Sequence, residues 1–165
     1  MPEQDRIDDR RAQWARELPG LNTVGMAVLG RARWITLKVR PPIEALFEQA
    51  DLDAGEFDVL ATLLRCGPPY RLRPTELYQS LMISSGGLTD RLKRLQNAGL
   101  IERGAPQGDA RSLPVVLTKE GRRRTEAVFR KDMELEAKLL TGLNQTELKS
   151  LDALLRKLVL SLDER

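Results

Sequence analysis

From Leu21 to Val39 the apolar positions Leu21, Val24, Val28, Ile35 and Val39 recur at roughly helical spacing, which predicts a long helix. Pro41 and Pro42 should kink or restart it, because proline lacks the amide donor that an interior turn needs. "IEALFEQADL" then adds a short apolar-faced turn or two. Asp53 stands where an N-cap belongs, and Phe57, Leu60, Ala61 and Leu64 make one stripe behind it. Gly67, Pro68 and Pro69 end that helix. "RPTELYQSLM" opens the next, with Pro74 in its first turn and Leu77 and Leu81 facing inward. In "ISSGGLTDRLKRLQNAGLI", Ser84 or Ser85 can cap a further helix whose buried face is Leu88, Leu92 and Leu95. Gly99 sits where a left-handed residue closes a helix, with Leu100 as its apolar follower.

The period then changes. "LIER" and "SLPVVLT" read as two short strands, and "GAPQGDAR" joins them as a wing rather than a tight turn. Pro114 argues that the second strand lies at an edge. Two helices follow. In the last, Leu148, Leu151, Leu155, Leu158 and Leu162 line one face, widened by Leu154 and Val159. So apolar a terminal helix needs a partner surface, from the N-terminal helices of its own chain or from a second chain. The expected fold is mainly α with a small β wing. A helix in residues 1–20 precedes a helical region formed by 21–50 and 119–165, and residues 51–118 form a separate lobe between them.

Composition narrows the chemistry. The 165 residues suit one domain, and 41% apolar with 31% charged residues favours a packed core over disorder. Aromatics are scarce at 4%, so the core is aliphatic. There is no apolar run of about 18 residues for a membrane span and no apolar segment of a secretory signal. A single cysteine allows no internal disulfide and fits a reducing cytoplasm. With no histidine, the Ser-His-Asp triad, the Cys-His pair and the ordinary zinc site are all excluded. No phosphate-binding glycine loop occurs. Hydrolysis by a carboxylate pair stays formally open, but the sequence points to no enzyme, no metal and no cofactor.

Net charge is only +3, but its placement is uneven. From Ser84 to Arg124 nine basic residues meet four acidic ones, a local +5 against −2 for the rest of the chain. A basic segment on an acidic body fits a polyanion binder, and equally a solvated helix face. The "SSGGLTDRLKRL" helix has the features of a helix that enters the major groove of double-stranded DNA. Ser84, Ser85 and Thr89 offer hydroxyls at its start, Gly86 allows close backbone approach, and Lys93 and Arg94 can neutralise phosphates. A wing after such a helix lies along the duplex, where Arg111 can enter the minor groove. Asp109 either orients that guanidinium or only pins the hairpin.

The order "DLDAGEFDVLATLL", "SSGGLTDRLKRLQNAGLIER", "GDARSLPVVLTKEGR" resembles the MarR family of bacterial transcription regulators over about residues 22 to 163. Asp109 and Arg111 match that family's wing signature. The resemblance implies a winged helix-turn-helix in a triangular homodimer, with helices from both chain ends forming the interface. Each subunit would bind half of a palindromic operator, with recognition helices about one turn of DNA, ~34 Å, apart.

A narrower resemblance, to the urate-responsive, PecS-like branch, rests on Trp14 in "RAQWARELPG", Asp58 in "GEFDVL", Arg91 in "LTDRLKRL" and Arg103 in "LIER". It implies release of DNA by a small aromatic anion such as urate or a phenolic carboxylate. An indole can stack on a planar purine, guanidinium groups can bind its oxygens, and an anion can compete with Asp58 for Arg91. Plainer roles also exist: Trp14 as a staple, Asp58 as a helix charge, Arg91 on phosphate, Arg103 as a strand-end charge. Two other functions fit the same sequence, a redox-responsive regulator acting through Cys66 and a winged-helix module that binds proteins.

Overall fold

The computed structural model describes residues 4–81, 87–104 and 113–163. α1 (Arg6–Glu17) begins at Asp5, whose carboxylate accepts the Ile7 and Asp8 amides while Asp8 returns a bond to the Asp5 amide. It packs antiparallel on the first half of α2 (Val24–Glu48). Arg31 of α2 pairs with Asp5 and Asp8 at 2.7 Å each, Ile7 rests on Gly30, and Arg11 donates to Thr23 Oγ1 at 3.1 Å. The Arg6 guanidinium lies 4.7 Å from the centre of the Trp34 ring. α2 runs unbroken through Pro41 and Pro42, against the expected restart. The two missing amides would have bonded the carbonyls of Leu37 and Lys38, and those residues are exposed, so water can take their place.

α3 (Ala54–Arg65) is buried along most of its length rather than on one stripe. It is the centre of a lobe, in contact with α2, α4, α5, β3 and α6. Phe47, at the end of α2, stacks on Phe57 with ring centroids 4.2 Å apart. β1 (Arg71–Leu72), α4 (Pro74–Ser80), α5 (Leu88–Asn97), β2 (Ile101–Arg103) and β3 (Val115–Leu117) complete the lobe. α5 ends as expected. Gly99 has φ +70°, the Leu100 amide bonds the Leu95 carbonyl, and the Gly99 amide bonds that of Gln96.

Two expectations for this lobe are corrected. The N-cap of α5 is Gly87, with φ +75° and no side-chain cap, rather than Ser84 or Ser85. The second wing strand is central, not an edge: the antiparallel order is β1-β3-β2, with Glu102 and Arg71 both opposite Val116. Pro114 precedes the strand, so its missing amide falls outside the ladder, while its carbonyl accepts the Gly104 amide at 2.8 Å. The two-residue β1 carries too short a pattern to be seen in sequence.

α6 (Lys119–Leu139) starts at Thr118, whose hydroxyl accepts the Gly121 amide, and packs on α2 and α3. α7 (Gln145–Asp163) follows a reciprocal Asn144–Glu147 cap. None of its residues is buried within this chain.

Candidate nucleic-acid interface

α5 presents three faces. Leu92 and Leu95 are buried in the lobe. Thr89 and Lys93, one turn apart, are exposed on the outer face. Thr89 also borders an open groove of about 510 Å³ between α4 and α5, with Thr75, Tyr78 and Gln79 on its other side. Tyr78 is 58% exposed, an aromatic group beside the recognition helix that the sequence reading did not single out. Ser84, Ser85, Gly86, Asp109 and Arg111 lie outside the described residues.

The third face of α5 carries Arg91 and Arg94 toward the start of α3. Arg94 donates from Nε to Glu56 at 2.6 Å and from Nη2 to Asp53 at 2.7 Å. These bonds, that to Glu56 first, hold its proton more firmly than usual. Arg91 lies across Gly55, with its Nε 3.8 Å from Asp53. Asp58 is buried on α3, three residues beyond Gly55 and so on the same side of that helix. Asp58 and Arg91 thus lie on the two helices that meet at Gly55. Arg103 ends β2, exposed and opposite Val115.

Trp14 is elsewhere. Arg11 meets Thr23 at the start of α2, and Trp14, nearly one turn further along α1, is 44% exposed. The lobe begins at Phe47, near the other end of α2. The rise of α2 between these points is on the order of 30 Å. One chain alone does not bring Trp14 to Asp58 and Arg91.

The basic run after the wing is largely matched by acids nearby. Arg122 pairs with Glu126 at 2.7 Å and lies over the Tyr70 ring, Arg123 pairs with Glu120 at 2.7 Å, and Arg124 reaches Asp51 at 3.2 Å. A count along the chain therefore overstates the positive field of this segment. Among the described residues no three acidic or cysteine side chains cluster as metal ligands, and no helix is long and apolar enough to cross a membrane.

Residues 50–112 match the model of the MarR family. Over 149 residues, 90% of each chain, this protein is 36% identical to PecS, a helix-turn-helix transcriptional regulator of Dickeya dadantii. The chain belongs to the MarR family. It is also 34% identical over 110 residues to the multiple antibiotic resistance protein MarR of Salmonella typhimurium, covering 66% of this chain and 74% of that one. A mutant of Escherichia coli MarR solved with operator DNA superimposes with a TM-score of 0.68 at 27% identity, over 88% of this chain and 96% of that one. AbsC of Streptomyces coelicolor, at 20% identity, shares the fold with a TM-score of 0.74 over 88% of this chain and 98% of its own. The protein is thus a DNA-binding transcriptional regulator with a winged-helix lobe.

Proposed function

We propose that this MarR-family protein is a homodimeric repressor that grips a palindromic operator with two copies of α5 and is released by a small aromatic anion. The observation that carries the reading is the outer face of α5, where Thr89 and Lys93 stand free of the lobe core on a helix of DNA-reading size. The division of the chain expected from sequence supports the dimer: residues 51–118 read DNA, while 21–50 and 119–165 pair the subunits. α7 leaves Leu154, Leu155, Val159, Leu160 and Leu162 exposed, and a second copy supplies the missing cover. Ser84, Ser85 and Gly86 extend the reading face, and Arg111 reaches the minor groove. Arg111→Ala should cost roughly 1–3 kcal/mol of operator affinity while the dimer stays folded, checked by mobility shift and sedimentation.

The ligand reading uses Asp58 and Arg91 at the α3–α5 contact, with Arg103 at the end of β2 and Trp14 brought by the partner subunit, because α1 holds Trp14 far from the lobe of its own chain. An aromatic anion that takes Arg91 from its acidic neighbours shifts α5 and loosens DNA. Urate is the first ligand to test and a phenolic carboxylate such as salicylate the second. Each should release a preformed protein–DNA complex at fixed salt and quench indole fluorescence. Trp14→Phe should weaken ligand binding and leave DNA binding near normal. If millimolar concentrations of both anions leave the complex intact, the ligand reading is wrong.

Cys66 is not favoured as the trigger. Cys66 is exposed, but its thiol donates to the Leu63 carbonyl at 3.0 Å and partial desolvation pushes its pKa up, which lowers the thiolate population that oxidants attack. Cys66→Ser should keep the full response to inducer.

A further inference from the structure

Arg94 of α5 is held by two carboxylates at the start of α3. Glu56 is buried, and both its oxygens are used: Oε1 accepts from Arg94 at 2.6 Å and Oε2 accepts the Asp53 amide at 2.9 Å. Asp53 accepts from Arg94 through Oδ2, and through Oδ1 from the Glu56 amide at 2.7 Å. The two carboxylates that cap α3 therefore also bind the recognition helix. One turn earlier on α5, the Arg91 guanidinium lies flat across Gly55, where any Cβ would strike it. The other attachment of α5 is apolar, through Leu92 and Leu95. Apolar burial holds a helix against a core without fixing its rotation, whereas charge-assisted bonds in a fork have a set direction.

We propose that the first turn of α3 is a seat that fixes the rotation and pitch of α5. Asp53, Gly55, Glu56 and Arg94 are then positioning residues for DNA binding, and Arg94 acts through α3 rather than through a phosphate. The proposal rests on the DNA-binding reading above. It reverses the sign of one simple expectation. If Arg94 neutralised a phosphate, removing the nearby negative charge of Glu56 would strengthen DNA binding, and losing Arg94 would reduce the salt dependence by about one unit of slope. In the seat, Glu56 and Arg94 work as a pair, so losing either one weakens DNA binding and losing both does no further harm.

The test uses the full-length protein and a duplex selected from a random-sequence pool by the wild-type protein, with affinity measured across a salt series. Glu56→Gln keeps the α3 cap, since glutamine also serves at that position, and replaces the ion pair with a neutral bond. We expect Glu56→Gln, Arg94→Gln and the double variant each to bind roughly tenfold more weakly, with wild-type salt slope and unchanged melting of the helices. Gly55→Ala alters no charge and favours the helix, yet its Cβ displaces Arg91, so it should also weaken binding. Tighter or unchanged binding by Glu56→Gln or Gly55→Ala overturns the seat, as does a slope lowered by one in Arg94→Gln. If the wild-type protein selects no duplex, the DNA-binding reading itself fails, and the seat with it.

Discussion

The lobe and the helical ends of this chain are built from the same aliphatic residues, yet they finish differently. In the lobe, Leu60, Leu63, Leu77, Leu95, Leu100 and Val115 are essentially inaccessible, and helix, strand and turn close around α3. In α7, which is nearly as long as α6, no residue is buried and Leu154 is 67% exposed. On α2, Val24, Val28 and Ile35 are exposed as well. One region completes its core within a single chain. The other leaves large apolar side chains of two helices uncovered within a single chain. Amphipathic spacing reveals which face of a helix is apolar, but not which chain covers it.

Charges placed in the stripe should break the contrast most severely. Leu151→Glu with Leu155→Glu puts two carboxylates into the proposed subunit contact, where their desolvation is costly. We expect the dissociation constant to rise by at least about 1,000-fold. Sedimentation should then report a species of 18.6 kDa in place of one twice that mass. A wild-type chain that already sediments as a monomer would show that the stripe is covered in some other way. The matching change in the lobe is Leu60→Ala, at a site with no exposure at all. It should cost about 3–4 kcal/mol through lost burial and a residual cavity, measured by denaturant unfolding. A cost below about 1 kcal/mol would mean that the lobe is less tightly closed than its packing indicates.

The sequence made the lobe legible where one local rule decided the outcome. The Asp53 cap, the Gly99 terminus and the inward Leu92 and Leu95 all follow from spacing and chemistry within a few residues. It was less legible where the outcome depended on distant partners. Pro114 read as an edge residue because β1, more than forty positions earlier in the chain, gave no signal of its own. Arg94 read as a free cation because Glu56 lies 38 positions away. The expected ligand set divides in the same way. Asp58 and Arg91 lie on the two helices that meet at Gly55, whereas Trp14 belongs to a helix clipped to the far end of α2. The resemblance implies α1 but carries no information on where along α2 it docks.

The smallest expected effect concerns that clip, and it separates α1 from both larger regions. α1 is fastened mainly by the Arg31 pairs with Asp5 and Asp8, besides the contact of Ile7 with Gly30. The Arg31 guanidinium holds the Asp5 carboxyl down at about 2 and lowers that of Asp8 as well. A group depressed on docking favours the docked state above its ordinary pKa and loses that contribution as pH falls through the depressed one. Docking of α1 should therefore hold at neutral pH and weaken between about pH 4 and pH 2. Trp34 reports the change, because Arg6 of α1 lies over its ring. The expected readout is a shift in indole fluorescence over that range. In Arg31→Gln the carboxyls return toward their ordinary range, so the transition should move to higher pH or be lost because α1 is already loose. Both pairs are partly exposed, so 0.5 M salt should weaken the docking too, with little effect on the buried lobe. An acid transition of identical midpoint in the wild-type and Arg31→Gln proteins would show that other groups, not this clip, govern the release of α1.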